Sequence, residues 1–219
     1  MPSITVHHLD RSRSSRILWL LEELEVDYEL VEHARGKDFR APASLREVHP
    51  LGKAPAVVVD DTVLVESGAI LEHLARTLGD GRLGVPTEDD AHQNYSFFLH
   101  YAEGSLMPPL LVKLLTGKVR EAKLPFFIKP IARGVADKLD ATYTNGEIDL
   151  HGAFLDQHLQ DRTWFAADRL TAADIQMSYP VYALISRGGA DRPNLKAWMD
   201  RVTARPAFQR AVQKGGPLI

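Results

Sequence analysis

The stretch from His49 to Ile70 constrains the fold of this chain more than any other part of it. It contains two short runs of β-branched residues, Val57 to Val59 and Thr62 to Val65. Asp60 and Asp61 separate these runs and supply the residue types that tight turns prefer. The stretch therefore predicts a β-hairpin that follows a loop and leads directly into a helix.

Each end of the predicted hairpin carries a residue with a special conformational role. Pro55 precedes the first strand, where a cis proline would turn the backbone of Ala54 away from the sheet ladder. Ser67 precedes an amphipathic run that continues to Leu78, which makes Ser67 the predicted N-cap of a helix. A helix N-terminus offers unpaired N–H groups and partial positive charge, and an open sheet edge pairs with peptides. The stretch alone thus predicts a site for a small acidic peptide.

The residues before this stretch predict a β-α-β unit. Ile4 to His8 reads as a strand, Ile17 to Leu24 as an amphipathic helix and Tyr28 to Val31 as a second, parallel strand. Ala41 to Val48 predicts a short helix starting at Pro42, because proline suits a first helical turn. With the hairpin and its helix, the order is β-α-β-α-β-β-α. This order predicts a thioredoxin-like α/β domain over residues 1–79.

The remainder of the chain predicts only helices. A glycine-rich segment that ends near Pro86 predicts a linker over residues 80–88, followed by an all-α domain over 89–219. Thr87 and the acids after it predict the start of a long helix, which Pro108 and Pro109 must kink or break. Thr171 and Asp174 have the spacing of a capping box. The further predicted helices are Phe126 to Tyr143, Ala153 to Leu159, Leu195 to Val202 and Ala207 to Val212.

Composition excludes several classes of function. The chain has no cysteine, so it forms no disulfide and supplies no thiolate or cysteine-ligated metal. Its formal net charge is −3, without a long single-sign block, which argues against nucleic acid or an anionic membrane as the main partner. No histidine group has metal-ligand spacing, so we expect no metal. Without a signal peptide pattern or a membrane-spanning run, the expected location is cytoplasmic.

Several segments together resemble the glutathione S-transferase family. They are HHLDRSRSSRILWLLEEL, FRAP, HPLGKAP, ESGAI, YAEGSLMPPL and LTAADI, and they are most similar to the branch found in fungi and many bacteria. The resemblance implies a homodimeric detoxification enzyme that uses glutathione as co-substrate. The implied activity is conjugation of the glutathione thiolate to small electrophiles, mostly apolar, with reduction of organic hydroperoxides as a related activity. The alternative is a non-catalytic binding or interaction module, because fold alone does not imply function.

The resemblance also assigns residues to glutathione binding. Ala54, beside a cis Pro55, would pair with the cysteinyl unit, and Ser67 would take the γ-glutamyl carboxylate. Taken singly, Pro55 reads as a turn residue, Ser67 as a helix cap and Lys53 as a solvated surface lysine. The full implied set is Arg40, His49, Lys53, Ala54, Pro55, Glu66 and Ser67, with Glu66 facing the γ-glutamyl amino group and Lys53 the glycyl carboxylate, helped by Arg40 or His49.

Activation of the thiol requires a further group. A free thiol has a pKa of about 8.5, and lowering it by roughly two units takes close to 2.7 kcal/mol. In this family a Tyr, Ser or Cys after the first strand does this, but here cysteine is absent and no tyrosine precedes Tyr28. Ser12 is the first candidate and Ser14 the second, with Arg13 as a charged alternative. The competing interpretation is that these serines only cap the helix.

The acceptor pocket is expected between the two domains. Tyr101, Glu103, Met107 and Pro108 lie near the middle of the long predicted helix, where an aromatic ring, a thioether and a kink would shape an apolar cavity. Two other interpretations stay open. Residues at helical spacing are often core residues, and Glu103 could instead contact the glutathione amino group.

Overall fold

The computed structural model describes residues 2–36, 40–186 and 190–218. Its N-terminal half contains one four-stranded mixed sheet in the order β2-β1-β3-β4. The strands are β1 (Ile4–Leu9), β2 (Glu29–His33), β3 (Ala56–Val59) and β4 (Thr62–Val65). β1 is parallel to β2 and antiparallel to β3, and β3 and β4 form the predicted hairpin. The thioredoxin-like layout is confirmed.

Three helices accompany this sheet: α1 (Ser15–Leu24), α2 (Ser44–Val48) and α3 (Ser67–Thr77). α1 is buried over almost its whole length, because it lies between the sheet and the helical half of the chain. A short 3₁₀ turn, Gly79–Gly81, follows α3. The segment 82–91 then forms turns, and the domain boundaries at 79 and 89 stay predictions.

The helical half is confirmed as an all-α arrangement. None of the described helices is long and apolar enough to cross a lipid bilayer. The helices are α4 (His92–Tyr101), α5 (Met107–Glu121), α6 (Lys129–Leu139), α7 (Asn145–His158), α8 (Ala172–Ser186), α9 (Pro193–Thr203) and α10 (Pro206–Gly215).

Two predictions about these helices, the start of the long helix and the separate helix from Ala153, are wrong in detail. The long helix begins at His92 rather than near Thr87, because Asp89 forms a turn in which its carboxylate accepts the N–H of Ala91 at 2.8 Å. The two prolines do not break it, since a π-helical turn, Ala102–Leu106, joins α4 to α5 just before them. A second π-turn, Asp140–Thr144, joins α6 to α7. The segment predicted as a separate helix from Ala153 is therefore part of α7.

Before α8, Asp174 makes its half of the predicted capping box, whereas the Thr171 hydroxyl donates to the Asp174 carboxylate instead of accepting the Asp174 N–H. The Asp174 carboxylate accepts the N–H of Thr171 at 3.0 Å and the Thr171 hydroxyl at 3.0 Å. It also accepts the N–H of Phe165 at 2.8 Å and the indole N–H of Trp198 at 3.4 Å. Asp174 is fully buried, so one carboxylate fixes a loop, a helix start and α9 together.

Asp140, in the second π-turn, links the two longest helical runs. Its carboxylate accepts hydrogen bonds from Lys113 at 2.9 Å, Thr116 at 2.8 Å and Arg120 at 2.7 Å. Burial alone would raise the pKa of Asp140, but these three hydrogen bonds outweigh burial and lower the pKa to about 2.

This lowered pKa predicts a specific acid sensitivity. A carboxylate whose pKa is depressed by folding contributes stability above its unfolded pKa of about 3.9, and that stability disappears as the pH falls towards 2. Urea titrations between pH 5 and pH 2 should therefore show that Asp140→Asn loses less stability with acid than the wild type. Parallel pH profiles for the two proteins would contradict this assignment.

The last helix of the chain, α10, packs against the N-terminal α/β half. α10 packs along α1, where the Glu22 carboxylate accepts hydrogen bonds from Arg210 at 2.8 Å and from Lys214. Burial raises the pKa of Glu22, but Lys214, Arg210 and Tyr28 outweigh it and hold the pKa below its usual value. This packing brings the C-terminal end of α10 beside β1.

Candidate functional site

A cleft opens where the start of β3, the N-terminus of α3 and the loop between β1 and α1 meet. It consists of two adjoining cavities of about 230 and 520 Å³, which share Arg13, Leu51, Lys53 and Ala54 in their linings. Together they have the size typical of a site for a small organic ligand. Tyr179 of α8 and Glu103 of the first π-turn bring the helical half into the cleft.

The smaller cavity gathers most of the residues expected to bind glutathione. The Ala54–Pro55 peptide bond is cis, as predicted. Ala54 lies outside the sheet ladder, whose pairing begins at Ala56. Lys53, Ala54, Pro55, Glu66 and Ser67 line the cavity, and Leu51, Val65, Arg13 and Glu103 complete it.

The start of α3 differs by one residue from the prediction. Ser67 is the first residue of the helix, and Glu66 occupies the N-cap position without a side-chain cap. Glu66 has φ 68° and ψ 116°, a conformation rarely adopted by a residue with a side chain. The amide of Ser67 is therefore one of the first helical N–H groups, which lack an intrahelical acceptor and carry the positive end of the helix dipole.

Arg16 lies beneath this helix start and is not among the residues that the sequence assigns to glutathione binding. Its side chain is fully buried, and its Nη1 atom lies 3.0 Å from Ser67 Oγ and 3.0 Å from Gln176 Oε1. A guanidinium only donates, so Ser67 Oγ accepts this bond and its own proton stays available for a ligand. The one sequence signal was an arginine inside the apolar run of α1.

Glu103 balances the charge of Arg16. Its carboxylate accepts Arg16 Nη1 at 2.7 Å and Arg13 Nε at 2.9 Å. Burial lowers the pKa of Arg16, although Glu103 opposes that shift. Burial also raises the pKa of Glu103, but Arg16 and Arg13 outweigh burial and leave its pKa below the usual value. The guanidinium groups of Arg13 and Arg16 also lie over the Tyr179 ring, at 5.6 Å and 5.1 Å from its centre respectively.

The larger cavity has a different character. Five arginines and one lysine line it, and Ser12 lies among them. Its lining is Leu9, Arg11, Ser12, Arg13, Arg35, Arg40, Ala41, Arg46, Leu51, Gly52, Lys53, Ala54 and Tyr179. The part of the chain that the structure describes holds no cluster of side chains suited to bind a metal ion.

The two serine candidates have different positions. Ser12 lines the larger cavity, whereas Ser14 is fully buried and lies outside both linings. Their hydroxyl oxygens are 2.7 Å apart, and Ser14 Oγ lies 2.8 Å from Nδ1 of His8. The other ring nitrogen of His8, Nε2, lies 2.8 Å from the carbonyl oxygen of Gly215. A carbonyl only accepts, so His8 Nε2 carries a proton.

The remaining candidates fall in several places. Arg40 lines the larger cavity, and His49 lines neither cavity but accepts the N–H of Leu51 at its Nδ1 atom, at 3.3 Å. Of the residues expected in the acceptor pocket, Glu103 lines the smaller cavity. Tyr101, Met107 and Pro108 line neither cavity; the Tyr101 hydroxyl hydrogen-bonds with His151 at 2.6 Å, and Met107 is buried in the core.

Comparisons with known families identify the family to which the chain belongs. The chain matches the family model for the glutathione S-transferase N-terminal domain over residues 1–76 and the model for the C-terminal domain over residues 118–206. The chain belongs to the glutathione S-transferase family. The cleft therefore lies mainly within the N-terminal domain of a transferase fold, and α8 supplies Tyr179 from the C-terminal domain.

Individual relatives match over nearly full length. Glutathione S-transferase 1 of Saccharomyces cerevisiae is 33% identical, with 100% of this chain and 97% of the yeast protein covered. Glutathione S-transferase 3 of Schizosaccharomyces pombe is 38% identical, with 96% and 87% covered. A crystal structure of a glutathione S-transferase from Actinobacillus pleuropneumoniae is 32% identical, with a TM-score of 0.79 and coverages of 98% and 94%. Other similar structures, at most 22% identical, contain glutathione or oxidised glutathione and share the fold.

Proposed function

We propose that this chain catalyses the conjugation of the glutathione thiolate to small electrophiles. The observation that carries the proposal is the smaller cavity, where an open backbone segment, a helix N-terminus and a lysine converge. These groups complement the peptide backbone, the γ-glutamyl carboxylate and the glycyl carboxylate of glutathione. A purely structural copy of the fold would have no chemical need for this combination.

In this assignment each part of glutathione has a partner. The backbone of Ala54 pairs with the cysteinyl unit, and the amide and hydroxyl of Ser67 donate to the γ-glutamyl carboxylate. Glu66 accepts from the γ-glutamyl amino group, and Glu103 is near enough to assist from the same cavity. Lys53 meets the glycyl carboxylate, with Arg40 beside it in the larger cavity. Isothermal titration with glutathione tests the assignment, and failure to bind would favour a non-catalytic interaction module.

Thiol activation is assigned to Ser12, with Ser14 behind it and Arg13 as a cationic neighbour. A hydroxyl that donates to the sulfur stabilises the thiolate over the thiol. The same thiolate would serve reduction of organic hydroperoxides, which a coupled assay of oxidised glutathione formation would detect. Mostly apolar acceptors were expected from Tyr101, Met107 and Pro108, but these residues lie outside the cleft lining and give that expectation no support.

Serine substitutions test this assignment. Ser12→Ala should raise the pKa of the bound glutathione thiol by about one unit, equivalent to about 1.4 kcal/mol. Ser14→Ala should raise the thiol pKa too. It should also destabilise the fold, because Ser12 and His8 would each lose the hydrogen bond that they share with the buried Ser14 hydroxyl. Ser15→Ala is the control, since its hydroxyl donates to the Ser12 carbonyl oxygen. An unchanged thiol pKa in both test variants would reject serine activation.

We further propose that the chain forms a homodimer, with the α/β half of one subunit against the helical half of the other. Large apolar side chains are exposed on both halves, which favours burial against a second copy. Leu51 and Val63 are exposed on the first half, and Phe126, Ile131 and Val135 on the second. Light scattering at micromolar concentration should give about twice the chain mass of 24.4 kDa. A monomer under those conditions would contradict the proposal.

A further inference from the structure

A short polar path leads from the larger cavity into the buried interior of the N-terminal half. Ser12 lines the cavity, its hydroxyl oxygen lies 2.7 Å from Ser14 Oγ, and Ser14 Oγ lies 2.8 Å from His8 Nδ1. Ser14 is fully buried and His8 is 3% exposed. Both contacts have ordinary hydrogen-bond lengths, so the path from the proposed thiol site to a titratable ring is unbroken.

The C-terminal end of α10 closes the far end of this path. His8 Nε2 donates to the carbonyl oxygen of Gly215 at 2.8 Å. A β-carbon on residue 215 would lie 3.0 Å from the His8 ring and closer still to the side chain of Leu18, so a glycine suits this close approach. The Gly215 carbonyl holds a proton on Nε2. In a neutral His8, Nδ1 is therefore an acceptor.

The contacts of the two serines specify where each proton lies when His8 is neutral. Nδ1 of the ring needs a donor, and Ser14 is the donor that the described residues provide. Ser14 Oγ in turn accepts the N–H of Leu9 at 3.1 Å and the hydroxyl proton of Ser12. Ser12 Oγ accepts the N–H of Ser14 at 3.2 Å and keeps one lone pair without a described partner. A thiol bound beside Ser12 can donate to that lone pair.

Ser14 has one competing acceptor. Its hydroxyl oxygen also lies 3.2 Å from the carbonyl oxygen of Leu9, compared with 2.8 Å from His8 Nδ1. With the proton directed to Leu9, the buried Nδ1 atom would lose its described donor, and a buried polar atom without a partner is costly. The shorter contact and the buried nitrogen both favour donation to His8.

The same atoms can also hold the proton of the thiol. For Ser12 to donate to a thiolate, Ser14 must donate to Ser12, and His8 must donate to Ser14 from a protonated Nδ1. The N–H groups of Leu9 and Ser14 keep their acceptors, and Nε2 of His8 keeps the Gly215 carbonyl. Every contact is retained while each proton moves by one position. Thiol and neutral imidazole become thiolate and imidazolium, with no net change in protons.

The direction of these hydrogen bonds decides whether Ser12 can stabilise a thiolate. While His8 is neutral, Ser12 donates its one proton to Ser14 and offers the sulfur only a lone pair. A proton on His8 Nδ1 reverses both bonds and directs the Ser12 proton to the sulfur. Thiolate formation and protonation of His8 therefore favour each other.

Burial keeps His8 neutral before glutathione binds. Burial is the largest effect on the ring and lowers its pKa, and His33 on the neighbouring strand β2 adds to this shift. Helices α1 and α10 contribute neutral partners to the ring, the Ser14 hydroxyl and the Gly215 carbonyl. The ring is therefore neutral at pH 7, as a proton acceptor must be.

Two carboxylates favour the charged ring. Glu32 on β2 and Asp10, just after β1, raise the pKa of His8 and so oppose the effect of burial. Asp10 also pairs with Arg11 at 3.6 Å, where both side chains are more than half exposed and solvent screens the pair. An imidazolium at His8 thus has two acids nearby and would have the thiolate at the other end of the path.

We infer that His8 is a positioning residue that takes up the proton of the glutathione thiol through Ser12 and Ser14. The inference rests on the proposed function, because it deepens the assignment of thiol activation to Ser12. The S–H proton passes to Ser12 Oγ, the Ser12 proton to Ser14 Oγ, and the Ser14 proton to His8 Nδ1. The electron pair of the S–H bond stays on the sulfur. This proton relay forms the thiolate without releasing a proton to solvent.

Proton counting on the wild type tests the relay. Calorimetry in buffers of different ionisation enthalpy measures the protons released when glutathione binds at pH 7, and ultraviolet absorbance measures the thiolate formed. We expect thiolate with almost no proton released, because His8 retains the proton. Release of about one proton per thiolate would overturn the relay.

Two further outcomes of this experiment separate the relay from the proposed function. Binding of glutathione without any thiolate would overturn the relay and serine activation together, and it would leave the glutathione site intact. Absence of binding would overturn the proposed function, and the inference with it.

His8→Asn separates proton uptake from hydrogen bonding. The asparagine amide can replace ring Nδ1 as a donor to Ser14, but it cannot accept a proton. Ser12 can then still donate to the sulfur, so this variant should release about one proton for each thiolate that it forms. If the variant released as few protons per thiolate as the wild type, His8 would be only a hydrogen-bond partner and the relay would be overturned.

His7→Asn is the matched control. His7 lies on the same strand and lines neither cavity, and its ring contacts His33 at 3.1 Å. Both variants should bind glutathione with a Kd within about threefold of the wild type. His8→Asn should raise the thiol pKa by about one unit, a tenfold lower ratio of thiolate to thiol at a given pH, and His7→Asn should not. Equal thiol pKa values in the two variants would overturn the role of His8.

Nitrogen NMR of the wild type reports the proton on His8 itself and does not depend on the folding of a variant. At pH 7 Nδ1 should be unprotonated in the free protein and protonated in the glutathione complex. S-Methylglutathione has no thiol proton to give, so its complex should keep Nδ1 unprotonated. Protonation of Nδ1 in both complexes, or in neither, would overturn the relay.

Discussion

Glu103→Ala is expected to lower the free energy of unfolding by about 3 kcal/mol, the lower end of the cost of breaking a buried ion pair. The reason is that Arg16 is fully buried and would keep its charge after losing its carboxylate partner. Ser67 Oγ and Gln176 Oε1, both 3.0 Å away, would be its remaining described acceptors. Denaturant titration at pH 7 measures this loss.

The same substitution should weaken glutathione binding by about tenfold or more, equivalent to about 1.4 kcal/mol. Arg16 holds the Ser67 hydroxyl in place, and Arg13 loses its anchor when Glu103 is removed. Titration calorimetry with glutathione provides the measurement. Glu121→Ala on α5 is the matched control, because Glu121 is an exposed acid outside the cleft and should shift stability by less than about 0.5 kcal/mol.

A double substitution identifies the physical cause. In Arg16→Met with Glu103→Ala, the buried charge and its partner are removed together, so the cost should be clearly smaller than the sum of the two single costs. Strict additivity within about 0.5 kcal/mol would show that the ion pair does not couple the two residues.

Asp174→Ala is expected to be still more destabilising, by about 4 kcal/mol of a total that is typically 5–15 kcal/mol. The buried carboxylate accepts hydrogen bonds from three residues, Phe165, Thr171 and Trp198, and alanine would leave their donors without an acceptor. It would also leave a cavity among the loop, α8 and α9. Thermal and urea unfolding should both show a large loss, with low yields of soluble protein at 37 °C as an accompanying result.

Asp168→Ala is the control for this prediction. Asp168 lies six residues earlier in the same segment and is exposed, so its loss should change stability by less than about 0.5 kcal/mol. If Asp174→Ala were as stable as Asp168→Ala, the capping box would not be what holds α8 in place. The kinetics of any folded Asp174→Ala protein should remain close to the wild type, since Asp174 lies outside both cavity linings.

The elements that the sequence predicts well depend on local patterns. Alternation and turn residues specify β3 and β4, and the apolar periodicity of α1 is independent of distant contacts. The sequence predicts the start of the long helix near Thr87 and the structure places it at His92, because an aspartate such as Asp89 caps a turn as readily as it caps a helix. The π-turn Ala102–Leu106 was missed because one widened turn hardly changes the apolar pattern.

In the candidate site, too, residues that are close in sequence could be predicted, and contacts between distant residues could not. Pro55 and Ser67 lie in one short stretch that predicts a peptide site, the family resemblance adds Lys53, and all three line the smaller cavity. Arg16 and Glu103 are 87 residues apart, and His8 and Gly215 are 207 apart. Only tertiary packing brings these pairs together, and no local pattern encodes it.

The acceptor pocket shows the limit of reasoning from residue type. Tyr101 and Met107 lie in the hydrophobic core, which is the other interpretation that their helical spacing allowed, and their place in an acceptor pocket stays a prediction. The arginines that line the larger cavity come from two loops and from α2, and they are scattered along the sequence.

The central claim is that the cleft binds glutathione and favours its thiolate. The most direct measurement is a pH titration of the thiolate absorbance of glutathione bound to the wild type, in which the cysteine-free chain adds no thiolate signal of its own. We expect saturable binding and a thiol pKa of about 6.5, two units below that of a free thiol. A bound thiol that titrates at about 8.5, or no saturable binding, would contradict the claim.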